Sequence, residues 1–296
     1  MARQQFAKLC SCKKRVVGSS PASSATKIFY QHTLWLKKIG FSLLIQLAGK
    51  KMINNLKDNP KKIGVYVAHD DDFILGAGGR IVQHLKDGND VYVVICADGR
   101  NSHKSVLGIE KDPSAREVKN KRKEEVKEAA KVLGLSEKKL HFLNLTDGGG
   151  KVCQNEEEAR RQIIEITNKE KPDIIYSHFP DSHKDHRAVS KIVLEAVKKM
   201  VSRPVLYRFP IWMKELSKER SEVGVGKNPK MPANILRVNI KKELGLKRES
   251  IFKMKSQVDI RPYSNWQVQV SPILDKKFID YFLRGEEVFI RTRIKK

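Results

Sequence analysis

Past residue 61 the chain settles into a repeating pattern. A short apolar run is followed by a polar break, and then by a longer stretch in which apolar residues recur every three or four positions. Ile63 to Val67 is the first such run and reads as a strand buried on both faces. After a polar loop and several glycines, Gly79 to Lys86 reads as a helix with Ile81, Val82 and Leu85 on one side. Val91 to Cys96 is a second buried strand. Ser114 to Leu133 is a long helix: Ser114 can cap it with Glu117 three residues on, and Gly134 can close it. Leu140 to Leu145 is a third strand and Glu157 to Asn168 another helix. Pro172-Asp173 then introduces the strand Ile174 to His178, and His186 to Met200 is helical with Val189, Ile192, Val193 and Val197 as its buried stripe.

Strands alternating with helices at this spacing predict an α/β fold, a Rossmann-like, mostly parallel sheet sandwiched by helices. Ligands of such sheets bind beyond the carboxyl ends of the strands. The polar clusters obey that geometry: His69 to Asp72 follows the first strand, Asp98 the second, Asp147 the third and Ser182 to His186 the fourth. Four separate loops therefore point at one edge. The stretch from Pro204 to Lys296 is expected to add strands and a helix to the same core. Two segments rich in Lys, Gly or Ser, Asn101 to Asp112 and Lys214 to Pro232, show no clear periodicity, and the second reads as a mobile flap over a pocket.

Composition narrows the picture only slightly. The chain has 296 residues, 40% of them hydrophobic, enough for one substantial core. Its formal charge of +25 would attract polyanions, yet lysine outnumbers arginine and is spread through most of the predicted helices, as on a solvated basic surface. No nucleic-acid recognition motif accompanies the charge, so no specific nucleic-acid partner is expected. Cys10, Cys12, Cys96 and Cys153 suggest neither a disulfide framework nor a structural zinc site, which fits a cytoplasmic setting. No uncharged apolar run approaches the roughly 20 residues that span a bilayer.

Residues 1–51 differ in kind: they carry basic side chains and no Asp or Glu. They read as a basic targeting arm, as a peripheral contact with anionic membrane anchored by Trp35, Leu36, Phe41, Leu43 and Leu44, or as a mis-annotated start. The last is favoured, because Gly18-Ser19-Ser20-Pro21 can be encoded by GGT-TCG-AGT-CCG, which resembles the T-arm of a transfer RNA gene. On that reading the protein starts at Met52, residues 52–296 form the working domain, and a cloverleaf-forming segment must lie in the upstream DNA.

The chemistry sits in two clusters. In Ala68-His69-Asp70-Asp71-Asp72, three adjacent carboxylates repel one another, and a divalent cation is the usual remedy. The plainer alternative is that one Asp caps the following helix. In His183-Lys184-Asp185-His186 two histidines spaced i, i+3 at a helix start can face the same way. Together, His69, Asp72 and His186 make a two-histidine, one-carboxylate set with open positions, suited to zinc (Zn2+), with Fe2+ as the alternative.

Ala68-His-Asp-Asp-Asp-Phe-Ile-Leu-Gly-Ala-Gly-Gly79 resembles the AHPDDExLGxGG signature of the PIG-L/LmbE-like N-deacetylases, and the second cluster resembles their HPDH motif. Arg122, Glu125, Ala129 and Leu133-Gly134 are similar to the family's R..E...A...LG helix. Thr146-Asp147-Gly148 is similar to its DG turn, Lys255-Ser256-Gln257 to its SQ element, and Glu287 with Phe289 to its closing ExF. The resemblance spans roughly residues 62–290.

It implies a metal-dependent hydrolase that removes an acetyl group from an N-acetylglucosamine-type substrate, with His69, Asp72 and His186 as metal ligands. Asp71 would be the general base. His183 would stabilise the oxyanion or protonate the leaving amine, with Asp185 tuning its imidazole. Asp147 would contact substrate hydroxyls, Arg122 would stand in the same shell, and Asp98 would be supportive or structural. Two residues depart from the pattern: Asp70 replaces a proline and Phe73 a glutamate, so tuning and substrate are open. The substrate is expected to be an acylated aminosugar, with phosphorylated or lipid-linked forms suggested by the net charge. The rival readings are a same-fold amidase for another amide and a non-catalytic polyanion-binding protein with a relic site.

Overall fold

The computed structural model describes residues 60–147, 151–213, 232 and 235–294. The chain divides into two units, Met1–Asp58 and Asn59–Lys296, and every residue described belongs to the second. The N-terminal extension and nearly all of the expected flap lie outside the described residues.

In chain order the elements are β1 (Lys62–Val67), α1 (Asp72–Lys86), β2 (Asp90–Ala97), α2 (Ser102–Leu107), α3 (Ala115–Val132), β3 (Leu140–Leu145), α4 (Lys151–Gln154), α5 (Glu156–Glu170), β4 (Ile174–His178) and α6 (Lys184–Lys199). The remainder contributes β5 (Val205–Phe209), β6 (Leu236–Asn239), α7 (Leu244–Lys253), α8 (Lys255–Val258), α9 (Lys276–Phe282) and β7 (Glu286–Thr292). One seven-stranded sheet forms in the order β3-β2-β1-β4-β5-β7-β6. The first five strands are parallel, and β7 runs antiparallel to both β5 and β6.

Both faces of the sheet are covered, which is why its central strands are apolar without alternation. Ile63, Val65 and Val67 pack with Phe73, Ile81 and Val126 on one side, while Tyr66 and Ala68 pack with Val189, Ile192 and Val193 on the other. The predicted strands match the observed ones to within a residue at each end, and the capping box at Ser114 and Glu117 is present. Gly134, at φ 85°, closes the turn after α3, a conformation that favours glycine.

Two expectations need correction. Helix α1 begins at Asp72 rather than Gly79, and Gly76, Gly78 and Gly79 are inside it. These glycines look like a loop in sequence but let the helix lie close to its neighbours: a Cβ on Gly79 would come within 2.7 Å of Ile240. The second is Asn101 to Asp112, which contains helix α2 rather than an irregular loop throughout.

Helix α1 is clamped from the C-terminal part of the chain. Lys247 Nζ donates to Leu75 O at 2.7 Å and to Glu287 Oε1 at 2.8 Å. Glu287 in turn accepts from the backbone N–H of Gly79 at 2.8 Å and of Arg80 at 2.9 Å. Leu75 O is the carbonyl that Gly79 N–H would meet in a regular helix, so the ion pair is clipped into the helix ladder itself. Lys247 is fully buried and Glu287 is 3% exposed. Breaking such a pair leaves a charge and several backbone groups without partners. Glu287→Ala should therefore destabilise the protein by about 3–5 kcal/mol, read as the loss in a urea unfolding curve; a change below about 1 kcal/mol would show that the clamp carries little.

Candidate active site

In this sheet β2 and β3 lie on one side of β1 and β4 and β5 on the other, so the strand order reverses between β1 and β4. Loops after β1 and β4 therefore diverge and leave a crevice at the carboxyl edge between them. The Ala68–Asp72 and Phe179–His186 segments occupy that crevice, and with them come His69, Asp72 and His186. Three of their atoms form a nearly equilateral triangle: His69 Nδ1 to Asp72 Oδ2 is 3.3 Å, His186 Nε2 to Asp72 Oδ2 is 3.4 Å, and His186 Nε2 to His69 Nδ1 is 3.4 Å. A tetrahedral ion held at about 2.0–2.1 Å needs donors about 3.3–3.4 Å apart.

The opposite edges of both rings show which atoms are free to bind. His186 Nδ1 faces Asp181 Oδ2 at 2.9 Å, and His69 Nε2 faces Asp147 Oδ1 at 3.4 Å. Each carboxylate accepts from the ring N–H, and in the neutral ring this leaves a lone pair on the nitrogen that faces Asp72. Two imidazole lone pairs and a carboxylate oxygen then confront one another in a buried space, an arrangement that calls for a cation. Without one, protons fill the role. Burial disfavours charge on His186, but Asp181 and Asp72 outweigh it and hold its pKa up at about 9. His69 is likewise held well above the usual imidazole range: burial opposes its charge, but its bonds to Asp147 and Asp72 win. Burial opposes charge on Asp72 as well, yet His186 and His178 keep it well below the ordinary carboxylate range.

His178 and Asp181 belong to this centre and were not among the residues expected from sequence. His178 stacks on His186 with centroids 3.9 Å apart, and its Nε2 accepts Ala68 N–H at 2.9 Å while lying 3.3 Å from Asp72 Oδ2. Burial, reinforced by the charge of His186, pushes its pKa down to about 4, so it is a neutral support. Asp181 also accepts from the backbone N–H of His183, Ile211 and Trp212. A signal existed: an acid two residues before a paired-histidine motif, in the loop leaving a buried strand. Overlapping groups such as Asp72, His178 and His186, or His69, His183 and His186, can also hold an ion.

Asp71 stands at the N-cap of α1, but its carboxylate makes no capping bond. The plainer reading of the aspartates as helix caps therefore does not apply to it. Its closest charged partner is Arg122, at 3.6 Å. Burial pushes its pKa up, Arg122 opposes this, and Asp72 and Asp70 add to the rise, leaving it at about 6. Arg122, 3% exposed, is gripped by Asp70: Nε lies 3.0 Å from both carboxylate oxygens, Nη2 bonds Oδ1, and Nη1 donates to Gln257 Oε1 at 2.9 Å. Gly99 closes the other side. Its φ is 68°, and a Cβ there would come 2.6 Å from Arg122 Nε.

His183 Nδ1 accepts the N–H of Asp185 at 3.2 Å, which places the ring proton on Nε2. Burial, then the charges of His186 and His69, hold its pKa well below normal. The Asp185 carboxylate turns elsewhere: Oδ1 accepts Val152 N–H at 2.9 Å and Oδ2 lies 3.8 Å from His69 Nε2. Asp98 faces Arg100 and Lys119 and reaches the site only through the Asp147 N–H, at 3.4 Å. A cavity of about 130 Å³ opens over the cluster. Its polar wall includes His69, Asp71, Asp72, Asp147 and His183, and its apolar wall includes Leu75, Val106, Ile211 and Leu274. A larger cavity of about 340 Å³ lies beyond Leu75, away from the histidines and aspartates.

Residues 65–197 match the family described as GlcNAc-PI de-N-acetylase, PIG-L. Among curated proteins, 4-oxalmesaconate hydratase of Pseudomonas putida KT2440 is 25% identical over 168 residues, covering 52% of this chain and 63% of that protein. The chain thus spans less than two thirds of that relative. Among solved structures, GalB, the 4-carboxy-2-hydroxymuconate hydratase from Pseudomonas putida KT2440, aligns with a TM-score of 0.56 at 19% identity, over 80% of this chain and 98% of that one. N,N'-diacetylchitobiose deacetylase from Pyrococcus horikoshii aligns with a TM-score of 0.54 at 22% identity, over 86% of this chain and 92% of that one. At these identities the solved structures speak for the fold alone. Residues 65–197 thus carry the match to the PIG-L family, and the fold agrees with it.

Proposed function

We propose that this protein is a metal-dependent N-deacetylase that hydrolyses the acetamide of an N-acetylglucosamine-type substrate. The observation that carries this reading is the triangle of His69, Asp72 and His186 donors, beside a carboxylate, Asp71, that makes no hydrogen bond among the described residues. A divalent ion held there, zinc or ferrous iron, supplies Lewis acidity that polarises a carbonyl and eases deprotonation of water. A solved structure described as the zinc-inhibited form of a teicoplanin deacetylase shares the fold, with a TM-score of 0.55 at 15% identity.

The rest of the chemistry falls to the protein's own groups. Asp71 takes the proton of the attacking water, whose oxygen adds to the amide carbon. The Nε2–H of His183 is free to meet the oxygen that becomes negative as the carbonyl bond opens. When the C–N bond breaks, the proton held by Asp71 passes to the leaving nitrogen, giving acetate and an amine. Asp147 meets substrate hydroxyls from the same wall. Departure of Phe73 from the family pattern does not reach this machinery, since it is wholly buried among apolar neighbours. A hydratase reading has the Pseudomonas relatives in its favour. The two separate by product: amine release marks the deacetylase, loss of conjugated-alkene absorbance the hydratase.

Asp71→Asn should lower amine release from N-acetylglucosamine substrates by about 10²–10⁴-fold while bound metal, measured by elemental analysis, stays stoichiometric. Undiminished turnover would remove Asp71 from the role. The base must be ionised, so activity should rise with pH along an acid limb. That limb should sit at or below pH 6, because Asp71 is held at about 6 and a bound cation pulls it further down. A pH–rate profile with its acid limb well above 6 would assign the limb to another group. Asp181→Asn should weaken metal binding by about 10–100-fold in chelator competition, because the His186 ring loses its charged support; unchanged affinity would show that Asp181 serves the loop alone.

A further inference from the structure

The chain as a whole is strongly basic, at +25, but the cavity is not. Among the described residues that line it, Arg122 is the only Arg or Lys, against Asp71, Asp72 and Asp147. Arg122 is already committed. Asp70, 4% exposed, holds the guanidinium through both carboxylate oxygens, Gln257 takes Nη1, and a side chain in place of Gly99 would run into Nε. With its charge matched by Asp70 and its Nε, one Nη2 and one Nη1 donor taken, the fork offers a second oxyanion neither net charge nor its Nε–Nη2 edge. The rest of the lining includes the apolar side chains of Leu75, Val106, Ile211 and Leu274.

We propose that Asp70 sets the charge selectivity of the site: by masking Arg122 it makes the cavity refuse phosphate and carboxylate groups and admit an uncharged or cationic acylated amine with an apolar neighbour. The surface lysines act on approach, over distances of about a Debye length, but they do not line the cavity floor. Unphosphorylated acyl aminosugars are then the preferred class. The proposal rests on the reading of this cavity as the substrate site, but its mechanism is a property of three side chains and can be tested without turnover.

Inorganic phosphate is the probe, titrated calorimetrically into metal-loaded full-length protein, where any contact between phosphate and metal is common to all variants. Asp70→Asn, which keeps an acceptor for Arg122 but removes the charge, should bind phosphate at least about tenfold more tightly than wild type. Asp70→Glu should restore the weak binding, and Arg122→Gln added to Asp70→Asn should abolish the gain. Equal phosphate affinity in wild type and Asp70→Asn would overturn the proposal. Should Asp70→Asn fail to fold, Arg122→Lys in the wild-type background decides: affinity within about twofold of wild type supports masking, and a loss of fivefold or more means that Arg122 already serves anions. Absence of amine release with these phosphate results intact would count against the deacetylase reading and leave the masking in place.

Discussion

Everything at the carboxyl edge of this sheet follows from the crowding of negative charge. Asp70, Asp71, Asp72, Asp147, Asp181 and Asp185 are drawn by three loops into a space largely shut off from water. Each ionised carboxylate in such a place needs a positive or hydrogen-bonding partner, because desolvation and like-charge repulsion act in the same direction. The partners can be assigned one by one. Asp70 takes Arg122, Asp181 takes His186, Asp147 and Asp185 lie against His69, and Asp72 stands among His69, His178 and His186. The Asp71 carboxylate has Arg122 at 3.6 Å and no hydrogen bond among the described residues. Burial raises its pKa, Arg122 opposes this, and the carboxylate stays able to take a proton from a reactant.

Such crowding needs a rigid frame. Aspartates 71 and 72 stand at the start of α1, where unpaired N–H groups favour negative charge. That helix is locked by Lys247 and Glu287 from the far end of the sequence. The same C-terminal part supplies Gln257 to Arg122, and Ser256 to Glu125 through contacts of 2.7 and 2.6 Å. Arg122 and Glu125, spaced i, i+3 on α3, are thus both met by α8. The family match ends at residue 197, yet the pocket does not: Ile211, Gln257 and Leu274 complete it.

The alternation of buried strands and amphipathic helices was legible because a parallel sheet covered on both faces leaves few alternatives for such a pattern. The convergence of polar loops was legible because parallel strands share one carboxyl edge. What escaped reading depends on distance in three dimensions. The start of α1 was hidden by Gly76, Gly78 and Gly79, residues that weaken a helix locally; at Gly76 and Gly79 a Cβ would run into the side chains of Phe209 and Ile240. Asp181 and His178 look like ordinary loop and strand-end residues, and only the folded crevice shows one gripping and the other stacking on His186. The Asp185 carboxylate could not be directed from sequence either, since the choice between His183 and His69 depends on how α6 is rotated.

Asp70 shows how one departure from a family pattern can set two properties at once. Where the pattern has proline, no carboxylate would stand between Arg122 and Asp71, and the arginine would share its charge with Asp71 alone. With Asp70 present, the guanidinium is drawn into a two-oxygen grip and stands 3.6 Å from Asp71. Burial is the largest cause of the raised Asp71 pKa, Arg122 opposes it, and the negative charge of Asp70 beside it adds to the rise. The same two-oxygen grip empties the cavity of available positive charge. A stronger base and a cavity that disfavours anions are therefore not separate adaptations: both follow from placing one more carboxylate against a buried arginine in a site already crowded with acids.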